Sequence, residues 1–277
     1  HAHRGHGLVY GVDAGVLGHA FTGWLRWHLG EPDAARREAL HALELARADG
    51  LAHVEASALV FAAEVHQHCG DRPRTRALAE AAIALADEHG FPLWSAWGGL
   101  LRGWALAAGG ETDAGIAAMQ AGLIAYARHG AALWRPHFLE LLAETCLHAG
   151  RLVEARAILD EARTVIAAHD ERVYASELWR LDGELILAEA GPDPLSPVPA
   201  DAAATCLHTA LAHAQACESV AMALRAAVAL ARLHVRLGRA ATACALLRGA
   251  LAAFDAAADD AGLTDARRLL ARLAQPG

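Results

Sequence analysis

The chain has 277 residues, of which 55% are hydrophobic but only 5% aromatic, so its apolar content is mostly Ala and Leu, the strongest helix formers. That length is enough to bury a sizeable core. With 32 acidic against 24 basic residues the net charge is -8, which repels a phosphate backbone and argues against nucleic acid as a partner, and the absence of any Lys excludes a P-loop nucleotide site.

The chain opens on HAHRGH, where His1, His3 and His6 have the chemistry for a divalent metal but no carboxylate or thiol at a helical spacing, so the reading is a frayed end. It begins on His1 rather than Met, and we expect it to be a piece of a longer polypeptide. From there a row of glycines sets the organisation: Gly30, Gly50, Gly70, Gly90, Gly110, Gly130 and Gly150 stand 20 residues apart. Gly takes the left-handed conformation cheaply and so recurs just past helix ends. The spacing predicts a helix of about 17 residues and a turn of about three, repeated, with two such units making one helical hairpin.

Two kinds of segment alternate between these glycines. After Gly30, Gly70, Gly110 and Gly150 come the short polar turns EPDAA, DRPRT, ETDAG and RLVEA, most with acidic residues suited to a helix first turn. After Gly50, Gly90 and Gly130 come LAHVEAS, FPLWSAW and AALWRPH, apolar and carrying several of the tryptophans. The hairpins are expected at roughly 8-48, 51-89, 92-129, 132-169, 171-217 and 218-257. Asp170 takes the next glycine slot and Gly191 falls one residue late. A Pro-rich insertion at 191-200, holding Pro192, Pro194, Pro197 and Pro199, delays the next helix to near Asp201. Gly238 ends a further first helix, and 263-274 reads as a capping helix with Leu263, Leu269, Leu270 and Leu273 opposite Arg267, Arg268 and Arg272. No apolar run reaches the roughly 18 residues of a membrane span, and no signal peptide is evident. Five scattered cysteines without a C-x-x-C pair read as reduced thiols buried as small hydrophobes, so the expected location is cytoplasmic.

Aligned on their glycines, the hairpins carry a small residue twelve positions on (Ala42, Ala82, Gly122, Ala162, Ala250) and an Ala, apolar or aromatic residue four further (Ala46, Ala86, Tyr126, Ile166, Phe254). This pattern resembles the tetratricopeptide repeat. The resemblance implies an all-α, right-handed α-α superhelix of about six hairpins plus a capping helix, one repeat domain over residues 1-277. The runs GFPLWSAWGGLLRGWALAAGGETDAGIAAMQAGL, RPHFLELLAETCLHAGRLVEARAILDEA and ERVYASELWRLDGELILA are similar to the carboxy-terminal repeats of large bacterial signalling proteins. In those proteins a cyclase-homology or DNA-binding domain precedes a STAND/AAA ATPase. The resemblance implies a sensing or docking part, with the catalysis housed upstream and no cofactor here.

Among candidate sites, His66 and His68 stand two apart on a helix and His208 and His213 five apart, poor spacings for zinc, so no metal site is expected. Glu140 and Glu144 share one helix face and Glu177 and Glu184 another, which suggests a common groove in which they form solvated ion pairs with Arg135, Arg180 or Arg225. An acid and base pair needs a closed pocket, whereas repeat grooves are open, so no catalytic set is assigned. The tryptophans (Trp24, Trp27, Trp94, Trp97, Trp104, Trp134 and Trp179) all read onto first-type helices, with Trp24 and Trp104 in equivalent positions six residues before their glycines. Each can be a core filler or an anchor for a ligand. The expected concave binding groove is therefore Trp24, Trp97, Trp104, His137, Glu140, Glu144, Glu177 and Arg180. It would bind a protein or peptide segment, including sister ATPase or cyclase domains, or alternatively a small-molecule effector.

Overall fold

The computed structural model describes residues 13-130, 133-169, 172-192 and 195-274. His1, His3, His6, Asp170, Pro194 and the start of the first expected hairpin lie outside them. Contacts divide the chain into two compact units, residues 1-27 with 31-133, and residues 28-30 with 134-277.

Among the described residues the first unit holds six helices: α1 (Ala14–His28, whose last residue groups with the second unit), α2 (Pro32–Asp49), α3 (Ala52–His68), α4 (Arg72–His89), α5 (Pro92–Ala107) and α6 (Thr112–Arg128). The second holds α7 (Arg135–His148), α8 (Leu152–His169), α9 (Ala175–Glu189), α10 (Pro197–Ala216), α11 (Val220–Arg236), α12 (Ala240–Leu251) and α13 (Ala261–Leu273), with a 3-10 turn at Arg172–Tyr174 leading into α9. No described residue lies in a strand. The fold is all-α and tetratricopeptide-like, with six helical hairpins and a final single helix among the described residues.

The glycine row acts as the local chemistry demands. Gly30, Gly50, Gly70, Gly90, Gly110, Gly130, Gly150, Gly191 and Gly238 all have φ between 69 and 96°, the region that side chains with a Cβ rarely adopt. At the ends of first helices the next residue donates its N–H five residues back. The pairs are Glu31 to Arg26, Asp71 to His66, Glu111 to Leu106, Arg151 to Cys146 and Arg239 to His234, at 2.9, 2.9, 3.0, 2.9 and 2.8 Å. This closure satisfies carbonyls that would otherwise be orphaned and reverses the chain.

First and second helices of a hairpin bury differently. In α4 the buried residues Thr75, Leu78, Ala79, Ala82 and Ala86 form one stripe. In α3 every residue from Ala56 to His68 is buried, and α7 and α11 are nearly as enclosed. Helices covered on all sides need close neighbours, and a second set of small residues provides for them. Gly23, Ala63, Gly103, Ala143 and Gly183, 40 residues apart, are all buried. A Cβ on Gly103 would lie 2.9 Å from the Gly115 carbonyl oxygen, and one on Gly115 only 2.5 Å from that of Gly103. The backbones of α5 and α6 touch there, at the crossing of one hairpin.

Four local expectations change. α10 starts at Pro197, ahead of Asp201, because Pro is accommodated in a helix first turn, where no intrahelical N–H bond is lost. Trp134 precedes α7 rather than lying on it, with φ of 69°. α13 starts at Ala261, capped by Asp260, whose carboxylate accepts from the N–H groups of Gly262 and Leu263. The five thiols are free, but only Cys69, Cys146 and Cys244 are buried, while Cys217 is exposed at the end of α10.

Candidate binding site

In the second unit, three successive first helices bring their charged residues together. α7 contributes His137, Glu140 and Glu144, α9 contributes Glu177, Arg180 and Glu184, and α11 contributes Arg225. Arg180 is the hub. Its Nε and Nη2 donate to Glu177 Oε2 at 2.9 and 2.8 Å, Nη1 donates to Glu184 Oε1 at 3.0 Å, and Nη2 reaches across to Glu144 Oε1 at 2.6 Å. Arg225 Nη2 donates to both oxygens of Glu144 at 3.1 and 3.3 Å, and its Nε lies 3.0 Å from Glu177 Oε2. Glu140 stands at the edge of this web, 3.8 Å from Arg225 and 3.3 Å from His137 Nδ1.

The ion pairs expected to be solvated are instead buried: Glu140, Glu177 and Arg180 are 2%, 1% and 4% exposed. The reason is the enclosure of first helices, which takes the inward ends of their charged side chains out of water. Only Glu144, Glu184 and Arg225 keep a partial opening, at 18%, 18% and 24% of their side chains. Arg135 belongs elsewhere and pairs with Glu161.

Burial and mutual repulsion sort the protonation states. Burial, then the neighbouring Glu177, push Glu140 well above the usual carboxylate range. Burial also acts on Glu144, but Arg180 and Arg225 outweigh it and hold that carboxyl well below its usual value. Against the burial that would discharge it, Arg180 is kept firmly charged by Glu177, Glu184 and Glu144. His137 falls to about 3, chiefly through burial and then the Arg225 charge, and is neutral at pH 7. It stacks on Tyr174 with ring centroids 5.0 Å apart.

In the first unit, Trp97 is buried within an aromatic core of Phe61, Trp94 and Tyr126, at centroid distances of 5.1, 5.8 and 6.1 Å. Its Nε1 donates to Glu64 Oε2 at 2.8 Å, and burial raises that carboxyl to about 8 despite the hydrogen bond. Trp24 and Trp104 are half-buried, and Trp179 of the second unit is exposed. Of the eight site residues expected from sequence, the structure gathers five in the second unit (His137, Glu140, Glu144, Glu177 and Arg180) and puts the three tryptophans in the first. Sequence reasoning left Arg225 and Glu184 out of the site, although both had been named as ion-pair partners. It missed Glu64 altogether, although a lone Glu in the apolar run ALVFAAEVHQH was a signal.

Two hollows in the second unit are lined by other residues. One of about 830 Å³ lies over the α10 face from Asp201 to Ala216. An apolar one of about 550 Å³ lies among Leu211, Val220, Leu224 and Leu246 of α10 to α12.

Hairpins on this glycine spacing, with charge gathered on their first helices, define a tetratricopeptide-like helical-repeat protein. Solved structures agree on the fold. The apo form of RapI aligns over 93% of this chain and 84% of its own, with TM-score 0.63 and 11% identity. A Rap protein complexed with Competence and Sporulation Factor aligns over 93% and 74%, with TM-score 0.60 and 13% identity. At these identities the likeness is one of fold alone. No family model matches the chain and no curated protein matches it in sequence. Among the described residues no helix is long and apolar enough to cross a membrane.

Proposed function

We propose that the chain is a non-catalytic binding module that docks a peptide or protein segment on the first helices of its repeats. The observation that carries this reading is the charged junction of α7, α9 and α11. Burying carboxylates and guanidinium groups in an Ala/Leu core contributes less stability than apolar packing of the same volume. A junction kept at that cost is suited to fixing what docks and in which register. Its groups engage one another rather than converging on a reacting atom, which favours recognition over catalysis. A similar fold was solved complexed with Competence and Sporulation Factor, which supports occupancy by a regulatory factor here. The resemblance of the helical runs to the repeats of STAND/AAA signalling proteins supports a place in a larger cytoplasmic polypeptide, whose ATPase or cyclase domains would respond to the occupied state. In the first unit, half-buried Trp24 and Trp104 are proposed as separate binding contacts of that unit.

The second reading, a small-molecule effector site, has the apolar 550 Å³ hollow in its favour, a size suited to drug-like ligands. That hollow does not include His137 or Glu140, so the junction favours the peptide. The test is an array of peptides of varied sequence probed with the purified chain, followed by titration of the positives. Saturable binding that Arg180→Met weakens at least tenfold is expected. Binding to no peptide sinks the proposal.

A further inference from the structure

The junction described above is out of charge balance. Four carboxylates (Glu140, Glu144, Glu177 and Glu184) face two guanidinium groups (Arg180 and Arg225), all within one unit. Within this unit, His137, His148, His28 and Tyr174 do not make up the difference. On α7, His137 is buried and neutral, and exposed His148 acts on Glu144 from the solvent side. His28, which groups with this unit and acts on His137, is also kept neutral, with its pKa lowered to about 4 by burial. Tyr174 stacks on His137 and carries no charge near neutral pH.

Two features locate where the missing positive charge belongs. Glu177 is 1% exposed, and its Oε2 takes every contact from Arg180 and Arg225, while its Oε1 is buried without a hydrogen-bond partner among the described residues. An acceptor left in that state is costly unless a donor arrives. Glu140, packed close enough to Glu177 to feel its charge, gets no hydrogen bond from either arginine, and Arg225 stops 3.8 Å away. A carboxyl that no arginine hydrogen-bonds and a buried carboxylate oxygen without a donor therefore lie on facing first helices, and the cluster reaches solvent at Glu144, Glu184 and Arg225.

We infer that this junction seats one cationic side chain, the guanidinium or ammonium group of an Arg or Lys on the docked segment, between Glu140 and Glu177. The inference rests on the docking reading and names the chemistry of what docks. In the empty site burial and the Glu177 charge push Glu140 toward its protonated form, which a further counter-charge would reverse. Arrival of the cation supplies that charge, Glu140 releases its proton to solvent, and Glu177 Oε1 gains its donor. Binding of a cation is thereby tied to release of one proton.

The experiment uses three sets of peptides that differ only in carrying Arg, citrulline or Glu at one position, titrated against the whole chain. Arg peptides are expected to bind at least tenfold more tightly than citrulline ones. Calorimetry in two buffers of different ionisation enthalpy should show about one proton released per Arg peptide at pH 7. Glu140→Gln resembles the protonated acid in shape and should fold normally, yet erase both the preference and the proton release. Glu184→Gln, at the exposed rim, should weaken the preference several-fold, and Glu161→Gln, paired with Arg135 outside the junction, should leave it intact. Binding with no charge preference, a preference for Glu, or a preference for Arg that survives Glu140→Gln overturns the inference and leaves the docking reading standing. Binding to no peptide of any charge overturns both.

Discussion

Arg180 is the residue on which most of the second unit's charge depends. Removing it leaves Glu144, Glu177 and Glu184 with Arg225 alone, and breaking a buried pair from one side costs about 3 to 5 kcal/mol. Arg180→Met should lower stability by that amount in urea titration, and a loss under 1 kcal/mol would mean the carboxylates are solvated after all. Glu64 gives a pH signature in the first unit. Its carboxyl moves from 4.5 to about 8 on folding, so the folded chain holds a proton that the unfolded chain releases. Its contribution is fully present below 4.5 and is lost as pH rises toward 8, at up to about 1.4 kcal/mol per pH unit. Glu64→Gln should flatten the fall in melting temperature between pH 5 and 8, and an unchanged profile would refute the assignment. Thiol reactivity should follow burial: Cys217 titrates at once with a thiol reagent. Cys69, Cys146 and Cys244 should react only on unfolding, Cys146 being further protected because burial pushes its thiol to about 11.

At the scale of elements, the helix count and the hairpin turns were legible because each depends on local chemistry. A left-handed turn favours Gly, and nine of these glycines have positive φ, with Glu218 taking the same conformation at the end of α10. What the spacing did not show was the difference between first and second helices in enclosure. Glu140, Glu144 and Arg180 look in sequence like an ordinary solvated face with i,i+3 and i,i+4 partners. Their burial comes from the flanking helices of the unit, which no local pattern records. The close crossing of α5 and α6 gives a matched pair of expectations. Gly115→Ala would place its Cβ 2.5 Å from the Gly103 carbonyl oxygen, and forcing the helices apart should cost about 1 to 3 kcal/mol. Gly99→Ala, on the same α5 but with nothing within 4 Å of its added Cβ, should stabilise by up to about 1 kcal/mol through helix propensity. Denaturation midpoints that move the same way for both would show that the crossing is not tight.

For the whole molecule, repeat proteins are stabilised by each repeat and its neighbours rather than by one global core, and the contacts here fall into two units. Five of the seven tryptophans (Trp24, Trp27, Trp94, Trp97 and Trp104) belong to the first unit. Gly115→Ala should therefore shift the unfolding midpoint read by tryptophan fluorescence more than that read by helical circular dichroism. Arg180→Met should do the reverse, and identical shifts by both probes would show that the chain unfolds as one. The amino-acid sequence by itself determined the helices, their reversals and the repeat, because these follow from glycine conformation, Ala/Leu propensity and the 20-residue spacing. Only the tertiary structure decided which charges are buried, which tryptophans are core, and which acids lack a partner. Those properties arise where side chains from helices 30 to 90 residues apart share one low-dielectric space, and a charge acquires its energy from that company rather than from its own position in the chain.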